Sequence, residues 1–132
     1  MIIPIQVALV EDDPLLRRVL AGLIEELGTE CLDFGSADDA LIALLQRAAP
    51  IDLLITDRVV PGQLDGLALV KLVRQKWPAV QALVMSGYEQ DDKLNLPAGV
   101  QYIQKPLQLN ELLAVVAQVQ HQRNAERPAS SA

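Results

Sequence analysis

Residues 53–62 read LLITDRVVPG, an apolar run that ends in the carboxylate of Asp57. A run this uniformly apolar leaves no face suited to solvent, so it predicts a strand buried between two layers of helices. Pro61 and Gly62 interrupt regular structure and predict a loop after the strand. Open α/β sheets bind their ligands beyond the carboxyl ends of their strands. Asp57 is therefore the first candidate site residue.

Strand-like and helix-like patterns alternate along the rest of the chain. The predicted strands cover residues 5–10, 30–34, 53–56, 80–85 and 100–103. The predicted helix N-caps are Asp13 (before Pro14), Ser36, Asp65 and Asn110. A chain with this alternation forms a parallel sheet with helices on both faces, and right-handed crossovers leave few topologies. The predicted fold class is α/β.

Apolar residues recur at helical spacing and define the buried side of each predicted helix. We expect these inward-facing residues: Leu16, Val19, Leu20, Leu23, Ile24 and Leu27 in the first helix; Ala40, Leu41, Leu44, Leu45 and Ala48 in the second; Leu69, Val70, Val73 and Trp77 in the third; Leu112, Leu113, Val116 and Val119 in the last. Gly28 is placed to end the first helix in the left-handed conformation. Pro97 and Gly99 leave room for roughly two helical turns after Ser86, so the fourth helix should be short.

Size and composition indicate one globular domain. The 132 residues suit a single core, and a hydrophobic content of 51% excludes a disordered chain. No apolar stretch is long enough to cross a membrane, the N-terminus carries no export signal, and Cys31 stands alone. These features favour a cytoplasmic protein without disulfides. The net charge of −6 argues against direct nucleic-acid binding by this domain.

The chain turns polar near its end. From about Arg123 onward few apolar residues remain, and the last five residues read PASSA. This change predicts a folded domain over residues 1–122 and a polar tail or truncated linker over residues 123–132.

Polar groups follow three other predicted strands. Glu11 and Asp12 follow the first strand, Ser86 the fourth, and Lys105 the fifth. The carboxyl ends of parallel strands share one edge, so these groups should converge on Asp57. Clustered carboxylates repel one another unless protons or a cation relieve them, and Mg²⁺ prefers oxygen ligands. Asp57 could then act as a nucleophile that forms an aspartyl-phosphate, with Lys105 and Ser86 contacting the phosphoryl group.

Four short motifs carry a family resemblance. They are Val10-Glu11-Asp12-Asp13, Thr56-Asp57 with the later Pro61-Gly62, Met85-Ser86-Gly87, and Lys105-Pro106. In this order and spacing they resemble the receiver domain of bacterial response regulators, over the whole chain up to the tail. The resemblance implies a flavodoxin-like, doubly wound fold with a five-stranded parallel sheet in the order 2-1-3-4-5.

The resemblance also implies a role for each residue. Asp57 would be the phosphoacceptor, Lys105 and Ser86 its catalytic partners, and Ser86 and Tyr102 the switch residues. A cis peptide bond would follow Lys105. The metal would be Mg²⁺, with Mn²⁺ as an alternative, and no other cofactor is implied. The implied metal ligands are Glu11, Asp12, Asp57 and the backbone carbonyl of Val59.

The implied function is a phosphorylation-dependent switch of a two-component system. The domain would accept a phosphoryl group from the phosphohistidine of a sensor histidine kinase or phosphotransfer protein. It would then change its partner-binding face for a downstream effector domain or protein, without being a turnover enzyme. No membrane partner is expected, and a homodimer through the last helix is a further hypothesis.

Two departures from the family pattern stand next to Asp57. The loop from Pro61 to Gly66 is one residue longer than the commonest form, and such loops resemble those of receivers attached to hybrid sensor kinases. Arg58 also stands where many members have an apolar residue. Neither change removes a proposed catalytic group.

Three alternative functions stay open at this point. The first is a receiver-fold interaction module that works without phosphorylation. The second is a small phosphatase with an aspartyl nucleophile, although such enzymes usually need a second acid two residues later, where this chain has Val59. The third is a flavin site, which the acidic turn from Glu11 to Pro14 disfavours because a flavin phosphate needs amides and hydroxyls.

Overall fold

The fold is described for residues 3–47, 51–87 and 96–126 of a computed structural model. These residues form five strands and four helices. The strands are β1 (Gln6–Val10), β2 (Glu30–Phe34), β3 (Leu53–Asp57), β4 (Gln81–Ser86) and β5 (Val100–Gln104). The helices are α1 (Pro14–Glu25), α2 (Ala37–Gln46), α3 (Gly66–Lys76) and α4 (Leu109–Glu126).

The five strands form one parallel sheet in the order β2-β1-β3-β4-β5, which confirms the predicted fold class and strand order. The pairing register sets the carboxyl ends of the central strands side by side. Thr56 pairs with Val10, and Asp57 pairs with Met85. The residues that follow β1, β3 and β4 therefore meet at one edge of the sheet.

Each central strand contributes alternate residues to two separate cores. In β3, Leu53 and Ile55 pack on the side of α1 and α4, whereas Leu54 packs on the side of α2 and α3. All five residues of this strand are buried. The prediction from the run at residues 53–56 is thus confirmed, and the helices cover both faces of the sheet.

Short polar side chains begin three of the helices as predicted. Asp13 accepts hydrogen bonds from the amides of Leu15 and Leu16 at the start of α1, where Pro14 is the first helical residue. Ser36 and Asp65 begin α2 and α3 in the same way. After α1 the chain passes through Gly28, whose φ of 83° confirms the predicted left-handed residue.

Some local predictions were wrong. Asn110 does not begin the last helix, because α4 starts at Leu109 and the carbonyl of Gln108 already accepts hydrogen bonds from the first turn. Three residues predicted to face inward are exposed, two because each core buries a narrower stripe than the apolar pattern spans and Leu27 because α1 ends before it, at Glu25. They are Val19, Leu27 and Leu45. Ala48, which was also predicted to face inward, lies outside the described residues.

Helix α4 continues through Glu126, past the boundary predicted after residue 122. Polar residues continue the helix because groups near the amino ends of the strands supply partners for them. Arg123 forms an ion pair with Asp52 at 3.3 Å, and Asn124 exchanges hydrogen bonds with the backbone of Ile3. The division into a domain and a tail stays a prediction, but residues 123–126 belong to the helix.

The short helix predicted between Ser86 and Val100 falls largely on residues 88–95, which lie outside the described residues. Among the helices that are described, none has both the length and the apolar character needed to cross a membrane.

Candidate functional site

Three carboxylates converge at the carboxyl edge of the sheet. Glu11 and Asp12 follow β1, and Asp57 is the last residue of the neighbouring β3. One carboxylate oxygen from each residue lies within 4.8 Å of the others. Glu11 and Asp57 are buried, whereas Asp12 is exposed, so the cluster opens to solvent on the side of Asp12.

Glu11 is the most deeply buried of these acids, with 3% of its surface exposed. Burial is the main cause that raises the pKa of the Glu11 carboxyl above its ordinary value, and the nearby Asp12 and Asp57 raise it further. The backbone amide of Asp13, which donates to Glu11 Oε2 at 3.1 Å, and the ammonium of Lys105 act in the opposite direction. Ionised Glu11 is therefore costly in this position.

Lys105 points its ammonium at the same cluster. Its Nζ donates to Asp57 Oδ2 and forms an ion pair with it. The backbone amide of Lys105 donates to the carbonyl of Ser86 at 2.9 Å, which holds the end of β5 against the end of β4. The peptide bond to Pro106 is cis, as the resemblance implied.

Ser86 and Tyr102 lie on the β4–β5 side of the site. Ser86 is the last residue of β4 and is 1% exposed. The hydroxyl of Tyr102 donates to the backbone carbonyl of Ser86 at 3.2 Å, and the tyrosine is half-buried. The phenol therefore contacts the same carbonyl as the Lys105 amide, which links β5 to the carboxyl end of β4.

The loop after Asp57 stays close to its carboxylate. The amide of Val59 donates to Asp57 Oδ1 at 3.3 Å, which places the backbone of residue 59 beside the acids. The side chain of Val59 points outward and is 58% exposed. Gly66 begins α3 so close to this turn that a β-carbon there would overlap the carbonyl oxygen of Asp57.

This donor set fits Mg²⁺. The converging atoms are carboxylate oxygens, which a hard divalent cation prefers, and the crowding of ionised acids around the buried Glu11 favours a cation between them. The backbone of Val59 lies at the same place and could add a carbonyl oxygen. Coordination through one or two carboxylates with retained waters is typical of this ion.

The structure thus brings together all seven residues that the sequence singled out. Around Asp57 lie Glu11, Asp12, Ser86, Val59 and Lys105, and Tyr102 contacts them through Ser86. Their positions agree with the expected arrangement, and their individual roles remain predictions.

Three supporting residues were missed. Arg17 donates to the carbonyl of Glu11 at 3.1 Å and pairs with Asp33 at 3.2 Å, so it ties the acidic turn to β2. Asp38 accepts hydrogen bonds from the loop after Asp57. Gly66 permits the close approach described above. In the sequence, Arg17 cannot be distinguished from a solvated residue on the surface of a helix. Of the three residues, only Gly66 carries a local signal, because the pair Asp65-Gly66 is typical of a turn.

Comparison with known proteins identifies the family. The sequence model of the response regulator receiver domain family matches residues 7–117 of this chain. The DNA-binding transcriptional regulator NtrC of Klebsiella pneumoniae is 29% identical over 124 residues, which cover 91% of this chain and 26% of NtrC. The response regulator protein FleR of Pseudomonas aeruginosa is 34% identical over 115 residues, which cover 85% of this chain and 24% of FleR.

The fold is similar to that of solved receiver domains. The receiver domain from the hybrid histidine kinase CckA is 33% identical with a TM-score of 0.73, and the match covers 87% of this chain and 98% of that one. The chain spans about a quarter of the length of NtrC and FleR. With the sheet order, the convergent site and the family match all in agreement, the chain belongs to the response regulator receiver domains, the signalling domains of two-component systems.

Proposed function

We propose that this receiver domain is a phosphorylation-controlled switch in which Asp57 accepts a phosphoryl group. The observation that supports this most directly is the convergence of one ammonium and two further carboxylates on the Asp57 side chain. A lone strand-end aspartate needs no such surroundings, because a turn or a cap would satisfy it.

The residues divide the work of the transfer between them. Glu11, Asp12, Asp57 and the carbonyl of Val59 would hold Mg²⁺, or Mn²⁺ in its place. The ion supplies positive charge that offsets the carboxylates and the incoming phosphoryl oxygens. Lys105 adds a point charge on the phosphoryl oxygens, and the Ser86 hydroxyl donates a hydrogen bond to them.

The reaction exchanges one bond to phosphorus for another. A carboxylate oxygen of Asp57 attacks the phosphorus of a phosphohistidine, and a P–O bond forms as the P–N bond breaks. The electron pair of the broken bond leaves with the imidazole nitrogen. Attack by water on the resulting acyl phosphate later returns Asp57 and inorganic phosphate. The domain processes its own phosphoryl group and turns over no other substrate.

Phosphorylation would change the surface on the β4–β5 side. The phosphoryl group carries a charge of about −1.5 to −2 beside Ser86, in place of the single negative charge of the Asp57 carboxylate. The Ser86 hydroxyl would move toward it, and Tyr102, which is half-buried, would turn further inward. A partner that prefers one of the two shapes reads this change.

The proposed partners follow from the family. A sensor histidine kinase or phosphotransfer protein donates the phosphoryl group, and an effector domain or protein receives the signal. NtrC is a DNA-binding transcriptional regulator of about four times this length, so the effector here could belong to the same polypeptide. With a net charge of −6, this domain would not itself contact nucleic acid. We also propose that α4 can form a homodimer contact.

The first test is phosphorylation by a small donor. Incubated with acetyl phosphate and Mg²⁺, the native protein should gain one phosphoryl group by mass, and Asp57→Asn should gain none. Chelation of the metal with EDTA should suppress the gain. If the native protein and Asp57→Asn behave alike, Asp57 is not the acceptor, and the domain is better described as an interaction module.

A further inference from the structure

The long loop after Asp57 is held near its tip by a carboxylate from another helix. Asp38, in the first turn of α2, accepts hydrogen bonds from two successive loop amides. Its Oδ2 accepts from the amide of Gln63 at 2.9 Å, and its Oδ1 accepts from the amide of Leu64 at 2.8 Å. We call this contact the Asp38 clamp.

Gly62 has the backbone that the clamp requires. Its φ of 108° is one that residues with a side chain rarely adopt. A β-carbon built on Gly62 would also lie 2.6 Å from Oδ2 of Asp38. A side chain at this position would therefore strain the turn and push the carboxylate away from the two amides.

The base of the loop is fastened separately. The amide of Arg58 donates to the carbonyl of Met85 at 2.8 Å, and the amide of Gly66 donates to the carbonyl of Arg58 at 2.8 Å. The side chain of Val60 is buried in the core under α2 and α3. Residues 61–63 are exposed, and the clamp ties this part of the loop to α2.

We infer that Asp38 is a positioning residue for the divalent-cation site. This inference rests on the proposed function, since it concerns the backbone carbonyl of Val59 as a ligand. The carboxylates sit on or beside strand ends, whereas Val59 belongs to the loop. The base of the loop has its own contacts, so without the clamp the outer part that continues from Val60 must be ordered when the ion binds, which costs conformational entropy and weakens affinity. The clamp orders the loop beforehand.

The test compares Mg²⁺ affinity in three unphosphorylated proteins by isothermal titration calorimetry. Asp38→Asn removes one of the two acceptor oxygens, and we expect its dissociation constant to rise by at most about fivefold, the factor that corresponds to the full free energy of one hydrogen bond. Asp39→Asn is the matched control, because it removes the same charge from the same helical turn at an exposed position. It should stay within about twofold of the native protein, since exposed charges are strongly screened.

Hydrogen exchange provides the second readout. In the metal-free protein, the amides of Gln63 and Leu64 should exchange faster in Asp38→Asn than in Asp39→Asn. Unchanged Mg²⁺ affinity in Asp38→Asn would overturn the inference, even if the melting temperature falls. Equal weakening in both variants would also overturn it, because charge alone would then account for the effect.

A further variant keeps the inference testable if Asp38→Asn does not fold. Gly62→Ala leaves the carboxylate in place but obstructs the clamp, so it should also weaken Mg²⁺ binding. Native affinity in Gly62→Ala would count against the clamp. If the native protein itself binds no Mg²⁺, the failure lies in the proposed function, and the role of Asp38 fails with it.

Discussion

The carboxylate of Asp57 is contacted from two directions. Lys105 donates to one oxygen and the amide of Val59 to the other, while Glu11 and Asp12 crowd the same space with negative charge. The ammonium offsets only part of that charge. The site is therefore poised to take up a cation, and its stability should depend on whether one is present.

Glu11→Gln should show how much the crowded negative charge destabilises the metal-free protein and how much it contributes to Mg²⁺ binding. The substitution removes a buried charge from beside two acids without changing the shape of the side chain. We expect the metal-free variant to be about 1 kcal/mol more stable than the native protein at neutral pH, because a buried like-charged carboxylate opposes folding. Urea unfolding with and without Mg²⁺ measures this.

The same experiment can also contradict the assignment of Glu11 as a metal ligand. Mg²⁺ should stabilise the native protein more than Glu11→Gln, because the variant lacks one proposed ligand. If the variant is less stable than the native protein without metal and gains equally from Mg²⁺, Glu11 is a structural residue and not a ligand.

Most of the principal residues of the site could be predicted from the sequence because they stand at or just beyond the end of an apolar run, whereas Val59 and Tyr102 were implied by the family resemblance. Asp57 and Ser86 end β3 and β4, and the parallel sheet aligns those ends. Arg17 and Asp38 could not be predicted in the same way. Their contacts depend on how α1 and α2 lie against loops that are distant in sequence, and neither residue stands at a strand end.

At the scale of elements, α4 is attached to the sheet at the end opposite the site. The side chains of Gln120, Arg123 and Asn124 contact backbone or acidic groups near the amino ends of β1, β3 and β4. The sequence predicted a tail from residue 123 because polarity alone cannot distinguish a solvated segment from one whose polar groups are paired. We expect changes caused by phosphorylation to concentrate at the start of α4.

Arg123→Met should reveal the strength of this attachment. Arg123 and Asp52 are 16% and 15% exposed, so the ion pair is largely shielded from water. Removal of the guanidinium takes one ion pair away from the shielded carboxylate of Asp52, and we expect a loss of about 2 kcal/mol in the free energy of unfolding. Urea denaturation gives the value.

A second arginine serves as the control. Arg18 is exposed on α1, and Arg18→Met should change stability by less than about 0.5 kcal/mol. Equal effects of the two substitutions would mean that the pair with Asp52 contributes nothing, and that the last turn of α4 is held by other contacts.

At the scale of the whole molecule, the single parallel sheet determines both the two cores and the position of the site. Helices α1 and α4 cover one face, and α2 and α3 cover the other. The polar groups of the site lie at the carboxyl edge of the sheet. The α/β class could be predicted because strands buried on both faces have a plain apolar signature, whereas the strand order was implied by the family resemblance. The exposure of Val19 and Leu45 could not, because it depends on how much of each helix the finished core covers.

The most direct test of the account locates the phosphoryl group. The protein is phosphorylated with acetyl phosphate and Mg²⁺, treated with hydroxylamine, which converts an acyl phosphate to a hydroxamate, and mapped by peptide mass spectrometry. The account predicts a hydroxamate at Asp57 that is absent when Mg²⁺ is withheld. A modification at any other residue, or a phosphoryl group that resists hydroxylamine, would contradict it.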